Sequence, residues 1–394
     1  MAKQRYYLDT RVLTAFFFAA MPFVAFGSFI VVNQARNHLR ESVGISLEQR
    51  AVQTKLALEQ YVGEQVVHLR VLALDPEVQK ALGETRPLPP EAEARQTDQA
   101  WASGKDPKLN ASLLDGPLAR RLEPLTVARP AVKAVQLIDS TGRLRAATSR
   151  GGRVFFGELD WFKAFATQLG EGEVYVGESF RPTGTTLNLL EIAFPVRTSD
   201  DVWLGAVRML VDAGDLYTVL APVRVGRTGH ASLLRSTDGL ILASDESERI
   251  LKMPLPGFES LRNAVEGFPM AQPAQEIFGR AGFHRGYWAM PEVKAATEVG
   301  RDVVVEPARL IGFSPIDQVP NVNWMVTVEQ DLSEALAPIN SVTRYLWFHF
   351  IGVFATVVLL ALYFSFKLEK PVMEEGLHLH EEHVPSGMKA SAGD

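Results

Sequence analysis

Two uncharged apolar runs, residues 12–32 and 345–366, bracket nearly the whole chain and leave about 310 mostly soluble-looking residues between them. Each run has the length of a membrane-spanning helix, for which about 20 apolar residues suffice. A chain of this pattern is expected to hold one large folded region on two membrane tethers. Lys3, Arg5 and Arg11 precede the first run, and Lys367 and Lys370 follow the second. Both ends are therefore expected on the cytoplasmic side, with residues 33–344 outside it. Arg36, Arg40 and Arg344 oppose that bias, although a loop this long translocates largely regardless of its charge. A cleaved signal peptide is the competing reading of the first run. Its apolar stretch exceeds the usual ~7–15 residues and no small-x-small site follows it, which favours an uncleaved anchor. His349, near the start of the second run, reads as an interfacial residue rather than a proton relay.

The formal net charge is -6 and no basic residues are concentrated in a patch, which argues against a nucleic-acid partner. There is no cysteine, hence no disulfide framework, thiolate metal site or cysteine nucleophile. A region of this size can rely on its own core.

Residues 33–82 predict a long amphipathic helix continuing out of the membrane. Leu39, Val43, Leu47, Leu58, Tyr61, Val62, Val66, Leu69 and Leu72 recur mostly at three- and four-residue spacing among charged and Gln residues. At about 1.5 Å per residue, some 45 helical residues reach on the order of 70 Å. The stripe is expected to pack on the chain's own sheets and, around Leu39, Val43 and Leu47, to form a dimer seam near the membrane. Gly44 and Gly63 are expected to weaken the helix and mark bends. Arg86-Pro87-Leu88-Pro89-Pro90 then breaks any helix. A short helix and loop follow up to Lys108, a further helical segment ends at Pro130, and strand begins at Ala131.

From there the chain states one pattern twice. Val135-Gln136-Leu137-Ile138-Asp139-Ser140-Thr141-Gly142-Arg143-Leu144 is a strand, a polar Gly turn and a return strand. Residues 231–242 repeat it with Ser236-Thr237-Asp238-Gly239 at the turn. Phe194-Pro195-Val196 later leads to Trp203-Leu204-Gly205-Ala206-Val207, as Ser314-Pro315-Ile316 leads to Trp324-Met325-Val326-Thr327-Val328. Helix-like stretches follow at 213–220 and 332–339. The expected fold class is α+β: a long N-terminal helix carrying two antiparallel-sheet modules, flanked by two transmembrane helices.

The membrane-anchored helix resembles the double Cache sensor domains of bacterial receptors when taken with three segments. These are Leu137-Ile138-Asp139-Ser140-Thr141-Gly142, Asp160-Trp161-Phe162-Lys163-Ala164-Phe165, and Val225-Gly226-Arg227-Thr228-Gly229-His230-Ala231. The resemblance covers roughly residues 34–340 and rests on the order of elements more than on any one motif. It implies two PAS-like modules, a membrane-distal one at about 83–222 that binds a small extracellular ligand and a membrane-proximal one at about 223–340 that couples to the second span. It also implies a location in the bacterial cytoplasmic membrane. The family's amino-acid-binding subset has an Arg two residues before the Trp, an aromatic after it, and an Asp at the end of the module's last strand. Here Trp161 and Phe162 match, Leu159 stands at the Arg position, and Met209 or Leu210 falls at the Asp position with Asp212 close by. The missing Arg would pair with a ligand carboxylate, so an amino-acid ligand is disfavoured.

The expected ligand-binding residues are Trp161, Phe162, Tyr175, Arg181 and Glu191, an aromatic surface with polar ends. Each has a plainer reading: a core aromatic for Trp161, a solvated loop residue for Arg181 beside Pro182, and for Glu191 a structural ion pair with an arginine such as Arg208. His230, His284, Arg285, Tyr287 and Trp288 form a second His and aromatic set, but the two histidines lie too far apart for a local metal motif. The glycines of Arg150-Gly151-Gly152-Arg153 read as a hairpin turn, since no helix opening with Lys-Ser or Lys-Thr follows. His378, His380 and His383 read as chance histidines of a polar tail rather than as a metal site. No catalytic constellation stands out, so no enzyme, cofactor or resident metal is expected.

Residues 1–11 and 367–394 are the expected cytoplasmic segments, and the second is too short to fold into a signalling module. The expected function is a membrane-anchored sensor, a homodimer, that binds a small molecule and signals through its spans to a separate protein. The alternative is an envelope interaction protein without a small-ligand response.

Overall fold

The computed structural model describes residues 10–84, 91–167, 174–182, 185–263, 287–290, 292–296 and 303–368. Lys3, Arg5, Lys370, His284, Arg285, His378, His380 and His383 lie outside them. The chain divides into two compact units, one of Met1–Leu39 with Leu336–Asp394 and one of Arg40–Ala335.

In the first unit, helix α1 (Thr10–Ala73) begins, and helix α10 (Ala337–Leu368) supplies the second apolar segment. Phe17 and Phe18 lie 6.5 and 6.3 Å, ring centre to ring centre, from Phe354. Both helices are long and apolar enough to cross a membrane, and Phe23, Phe26, Phe29, Phe348 and Leu359 are exposed along them.

The larger unit is organised on Arg40–Ala73 of α1. Leu47, Ala51, Thr54, Leu58, Val62, Gln65, Leu69 and Leu72 are buried, the three- and four-residue spacing of a single helix face. The helix stops at Ala73, short of residue 82, because Asp75 and Pro76 start a new one. The Asp75 side chain accepts from the Glu77 N–H and caps α2 (Pro76–Gly83). Gly44 marks no break in α1. A Cβ there would lie 2.3 Å from the Tyr287 ring, and one on Gly312 would lie 2.2 Å from the Leu47 backbone, so both glycines let helix and sheet approach. Leu47 is accordingly covered by the chain's own sheet rather than left for a partner.

Three helices, α3 (Glu91–Ser103), α4 (Pro107–Leu114) and α5 (Pro117–Ala128), lead into the first sheet. Its strands are β1 (Val132–Asp139), β2 (Leu144–Ala147), β3 (Tyr175–Val176), β4 (Leu189–Arg197) and β5 (Trp203–Asp212), with α6 (Asp160–Thr167) inserted before β3. They lie antiparallel in the order β2-β1-β5-β4-β3. In the β1–β2 turn, Gly142 adopts φ 87°, and Asp139 Oδ1 accepts from the N–H groups of Thr141 and Arg143. A 3₁₀ turn (Ala213–Asp215) and α7 (Leu216–Leu220) cross to the second module.

That module contains β6 (Arg224–Val225), β7 (Gly229–Arg235), β8 (Ile241–Ala243), α8 (Phe258–Asn263), β9 (Tyr287–Met290), β12 (Arg309–Pro315), β13 (Trp324–Asp331) and α9 (Leu332–Ala335). A separate hairpin joins β10 (Val293–Ala296) to β11 (Val303–Glu306). The path β8-β7-β13-β12-β9 repeats β2-β1-β5-β4-β3 step for step, with β6 added to β7. The fold is α+β, with two antiparallel sheets of one topology on one long helix.

One face of each sheet joins the core of α1, through Leu137, Ile192 and Met209 in the first and Leu233, Leu310 and Val328 in the second. The other face is covered within its own module, by Phe156, Trp161 and Phe165 in the first and by Leu255, Phe258 and Leu261 in the second. Coverage on both faces explains why the strands are nearly continuously buried rather than alternating.

Candidate functional site

Antiparallel pairing sets a row of residues across the covered face of the distal sheet. Gln136 of β1 stands opposite Arg208 of β5, Arg208 opposite Ala193 of β4, and Ala193 opposite Tyr175 of β3. Glu191 lies two residues from Ala193 and so on the same face. Arg208 Nε donates to Glu191 Oε1 and its Nη1 donates to Gln136 Oε1 at 2.6 Å. The guanidinium also lies 5.2 Å from the centre of the Phe156 ring. Arg208 is 7% exposed, and a cation so buried needs these partners. Glu191 is thus held in the ion pair that an otherwise apolar strand demands.

Against this row stands an aromatic cluster from α6. Trp161 stacks on Tyr175 at 5.7 Å and 20°, and meets Phe162 and Phe165 edge-on at 5.6 and 5.7 Å. Burial, then the charges of Glu191 and Glu178, push the Tyr175 phenol above its ordinary pKa. The Trp161 indole Nε1 is buried and has no hydrogen-bond partner among the described residues. Trp101 Nε1, by contrast, donates to the Gly151 carbonyl at 3.2 Å, so the Gly151-Gly152 loop serves to close the edge of the cluster.

Four of the five expected residues therefore converge. Arg181 does not join them. It is exposed and donates from Nε to Asn188 Oδ1 at 2.9 Å. Asp212 is likewise a cap, accepting from the Gly214 N–H at 2.9 Å. Leu159, at the Arg position, packs against the aromatic cluster. The edge of Phe162 also borders an open cleft of about 450 Å³, walled by Asp98, Thr141, Arg153 and Phe155 among others. Asp98 Oδ1 accepts there from the N–H groups of Val154 and Phe155 at 2.5 and 3.3 Å. Sequence reasoning missed Gln136 and Phe156. The signal at Gln136 was the one that singled out Glu191, a polar residue amid apolar neighbours within a strand.

The proximal sheet carries its own polar row. His230 of β7 stands opposite Glu329 of β13, Glu329 opposite Ile311 of β12, and Ile311 opposite Trp288 of β9. Glu329 is buried, accepts from Arg309 Nη1 at 2.6 Å, and lies 3.1 Å from His230 Nε2. Burial alone would lower the His230 pKa, but the hydrogen bond and charge of Glu329, with Asp245 behind, raise it to about 9. The same two cations hold the Glu329 carboxyl below its ordinary range against burial. Tyr287 turns to the other face, toward Gly44. Among the described residues no His, Asp and Glu group is arranged to hold a metal ion.

No protein-family model matches the chain, and no curated protein matches it. Among solved structures it is similar to the ligand-binding domain of the Pseudomonas aeruginosa amino-acid chemoreceptor PctC in complex with GABA, at 18% identity and TM-score 0.43, over 73% of this chain and 100% of that one. The ligand-binding domain of the Pseudomonas fluorescens chemoreceptor CtaA with L-isoleucine gives 16% identity and TM-score 0.43, over 77% and 98%. That of P. aeruginosa PctB with L-Arg gives 15% and 0.43, over 75% and 98%. These overlaps are loose, and no residue of this chain is assigned from them.

Proposed function

We propose that this chain is a two-pass sensor of the bacterial cytoplasmic membrane whose distal module binds a small molecule between α6 and the polar row of its sheet. The observation that carries the reading is the convergence of Trp161, Phe162 and Tyr175 on Glu191, Arg208 and Gln136. The residues bind and orient; no general base or nucleophile stands among them, so the activity is recognition rather than catalysis. Both apolar helices serve as spans, with residues 33–344 outside the membrane. Ligand binding acts by shifting the population of arrangements of α1 and α10, which a partner protein reads.

The chain works as a homodimer. Leu47 is taken up by its own sheet, but Ile45, Val52, Leu56, Val67, Val71 and Leu74 form an exposed apolar stripe on the outer side of α1. The same stripe favours the second reading, a protein that docks another envelope protein and has no small ligand. A thermal-shift screen of metabolites on the detergent-solubilised full chain separates the two. The sensor reading expects a stabilising ligand whose effect Trp161→Ala removes; capture of an envelope protein with no ligand-dependent shift would support the other.

A further inference from the structure

The inference here rests on the distal site proposed above and concerns what that site accepts. Its two charges are already spent on each other. Arg208 gives Nε to Glu191 and Nη1 to Gln136, and its face lies over Phe156. The side chains of Arg208 and Glu191 are only 9% and 13% exposed. A ligand carboxylate would have to draw Arg208 away and leave Glu191 unpaired in a buried place, and a ligand ammonium would do the converse. Removing one partner from a buried ion pair costs more than a replacement pair at imperfect geometry returns.

What the site lacks is an acceptor. Trp161 is 7% exposed and its Nε1 meets no acceptor among the described residues, so the folded chain carries the cost of a desolvated, unbonded donor. Trp203, Trp288 and Trp324 carry such indoles too, so an orphaned N–H by itself marks nothing. Trp161 is singled out by its place. It stacks on Tyr175, whose ring is in turn close enough to Glu191 to feel its charge. The surrounding rings of Phe156, Phe162 and Phe165 offer faces and edges suited to a flat molecule.

We infer that the distal site takes an uncharged, planar molecule presenting a hydrogen-bond acceptor to Trp161 Nε1, and that it discriminates against zwitterions. Donors on the ligand are secondary, because the acceptors of Glu191 and Gln136 already serve Arg208.

The test uses the full chain in detergent, with nicotinamide, benzamide and uracil as uncharged probes and L-leucine and 4-aminobutyrate as zwitterions of similar size. Calorimetry and thermal shift are expected to show binding by at least one uncharged probe and none by the zwitterions. Trp161→Phe keeps a ring but deletes the donor, and should weaken that probe about tenfold, the worth of one neutral hydrogen bond, without lowering the melting point of the free protein. Trp161→Ala and Tyr175→Leu should abolish binding. If a zwitterion binds and is lost in Trp161→Ala, or if Trp161→Phe binds as tightly as the parent, the ligand class is wrong although the site stands. If a bound probe is indifferent to Trp161→Ala and to Tyr175→Leu, or if no probe binds, the inference fails; indifference to both variants takes the site with it.

Discussion

The distal and proximal sheets present the same lattice with opposite charge. Gln136, Arg208, Ala193 and Tyr175 cross the first from β1 to β3, with Glu191 two residues from Ala193; His230, Glu329, Ile311 and Trp288 cross the second, with Arg309 two residues from Ile311. The cation of the central strand in one module is an anion in the other, and the diagonal partner is inverted to match. Register in an antiparallel sheet is set by pairing geometry, so it preserves which positions meet while leaving their identities free, provided each buried charge keeps a counter-charge. The difference lies in what closes each row. Aromatic rings with an unmet donor close the distal one. The proximal one is closed by further charge, His230 and Asp245, and is tied onward: the Thr228 carbonyl lies 3.1 Å from His230 Nδ1, while the Thr228 N–H donates to Glu334 of α9 at 2.9 Å. One row is arranged to receive something, the other to hold together.

The comparison breaks most directly by charge exchange. Arg208→Glu alone sets two carboxylates side by side in a buried place and should cost about 3–5 kcal/mol, as should Glu191→Arg. The double exchange recreates the proximal order, and chemical denaturation should find it within about 1.5 kcal/mol of the parent. Additive losses would show that the two lattices are not interchangeable. Glu329→Gln, which leaves Arg309 and His230 buried without their carboxylate, should also cost about 3–5 kcal/mol.

A pH series sharpens the contrast. His230 titrates near 9 in the fold against 6.5 for an ordinary histidine, so its contribution is complete below pH 6.5 and drains away as pH rises through 9. The amount at stake is about 3 kcal/mol. Glu329, held low, loses its contribution in the other direction, as pH falls below the ordinary carboxylate range. The proximal module should therefore soften from both sides of a plateau, and His230→Gln should remove the alkaline slope. The distal row holds no imidazole, and fluorescence of Trp161 and Trp203 should stay level between pH 6.5 and 9.

The smallest effect comes from the two helix glycines. A Cβ at Gly63 meets nothing within 4 Å, so Gly63→Ala should stabilise the helix by about 0.8–1 kcal/mol. Gly44→Ala should lose stability instead, because its Cβ would strike the Tyr287 ring. Equal melting points for the two variants would mean that α1 does not seat on the proximal sheet through Gly44.

Much of the frame was legible from residue order. The buried face of α1, the repeat of strand, Gly turn and strand, and the aromatic pair Trp161-Phe162 all follow from periodicity or local composition. Glu191 was readable as a residue in need of a partner. The end of α1 at Ala73 was available in Asp75-Pro76 but was masked by the apolar stripe, which runs on through Val78 and Leu82 into α2. Arg181 looked as good a site residue as Glu191, since nothing local separates a loop arginine bonded to Asn188 from one turned inward.

By itself, then, the sequence determined where the apolar segments lie, which face of the long helix is buried and that one module is written twice, because these depend on spacing along the chain. Only the tertiary structure decided that Gln136, Arg208 and Glu191 share one buried spot, that Gly44 and Gly312 are contact points, and that the two modules carry inverted copies of a single polar lattice. These depend on strand register and close approach between segments as far apart as Gln136 and Arg208, and no local pattern encodes a register until the strands have paired.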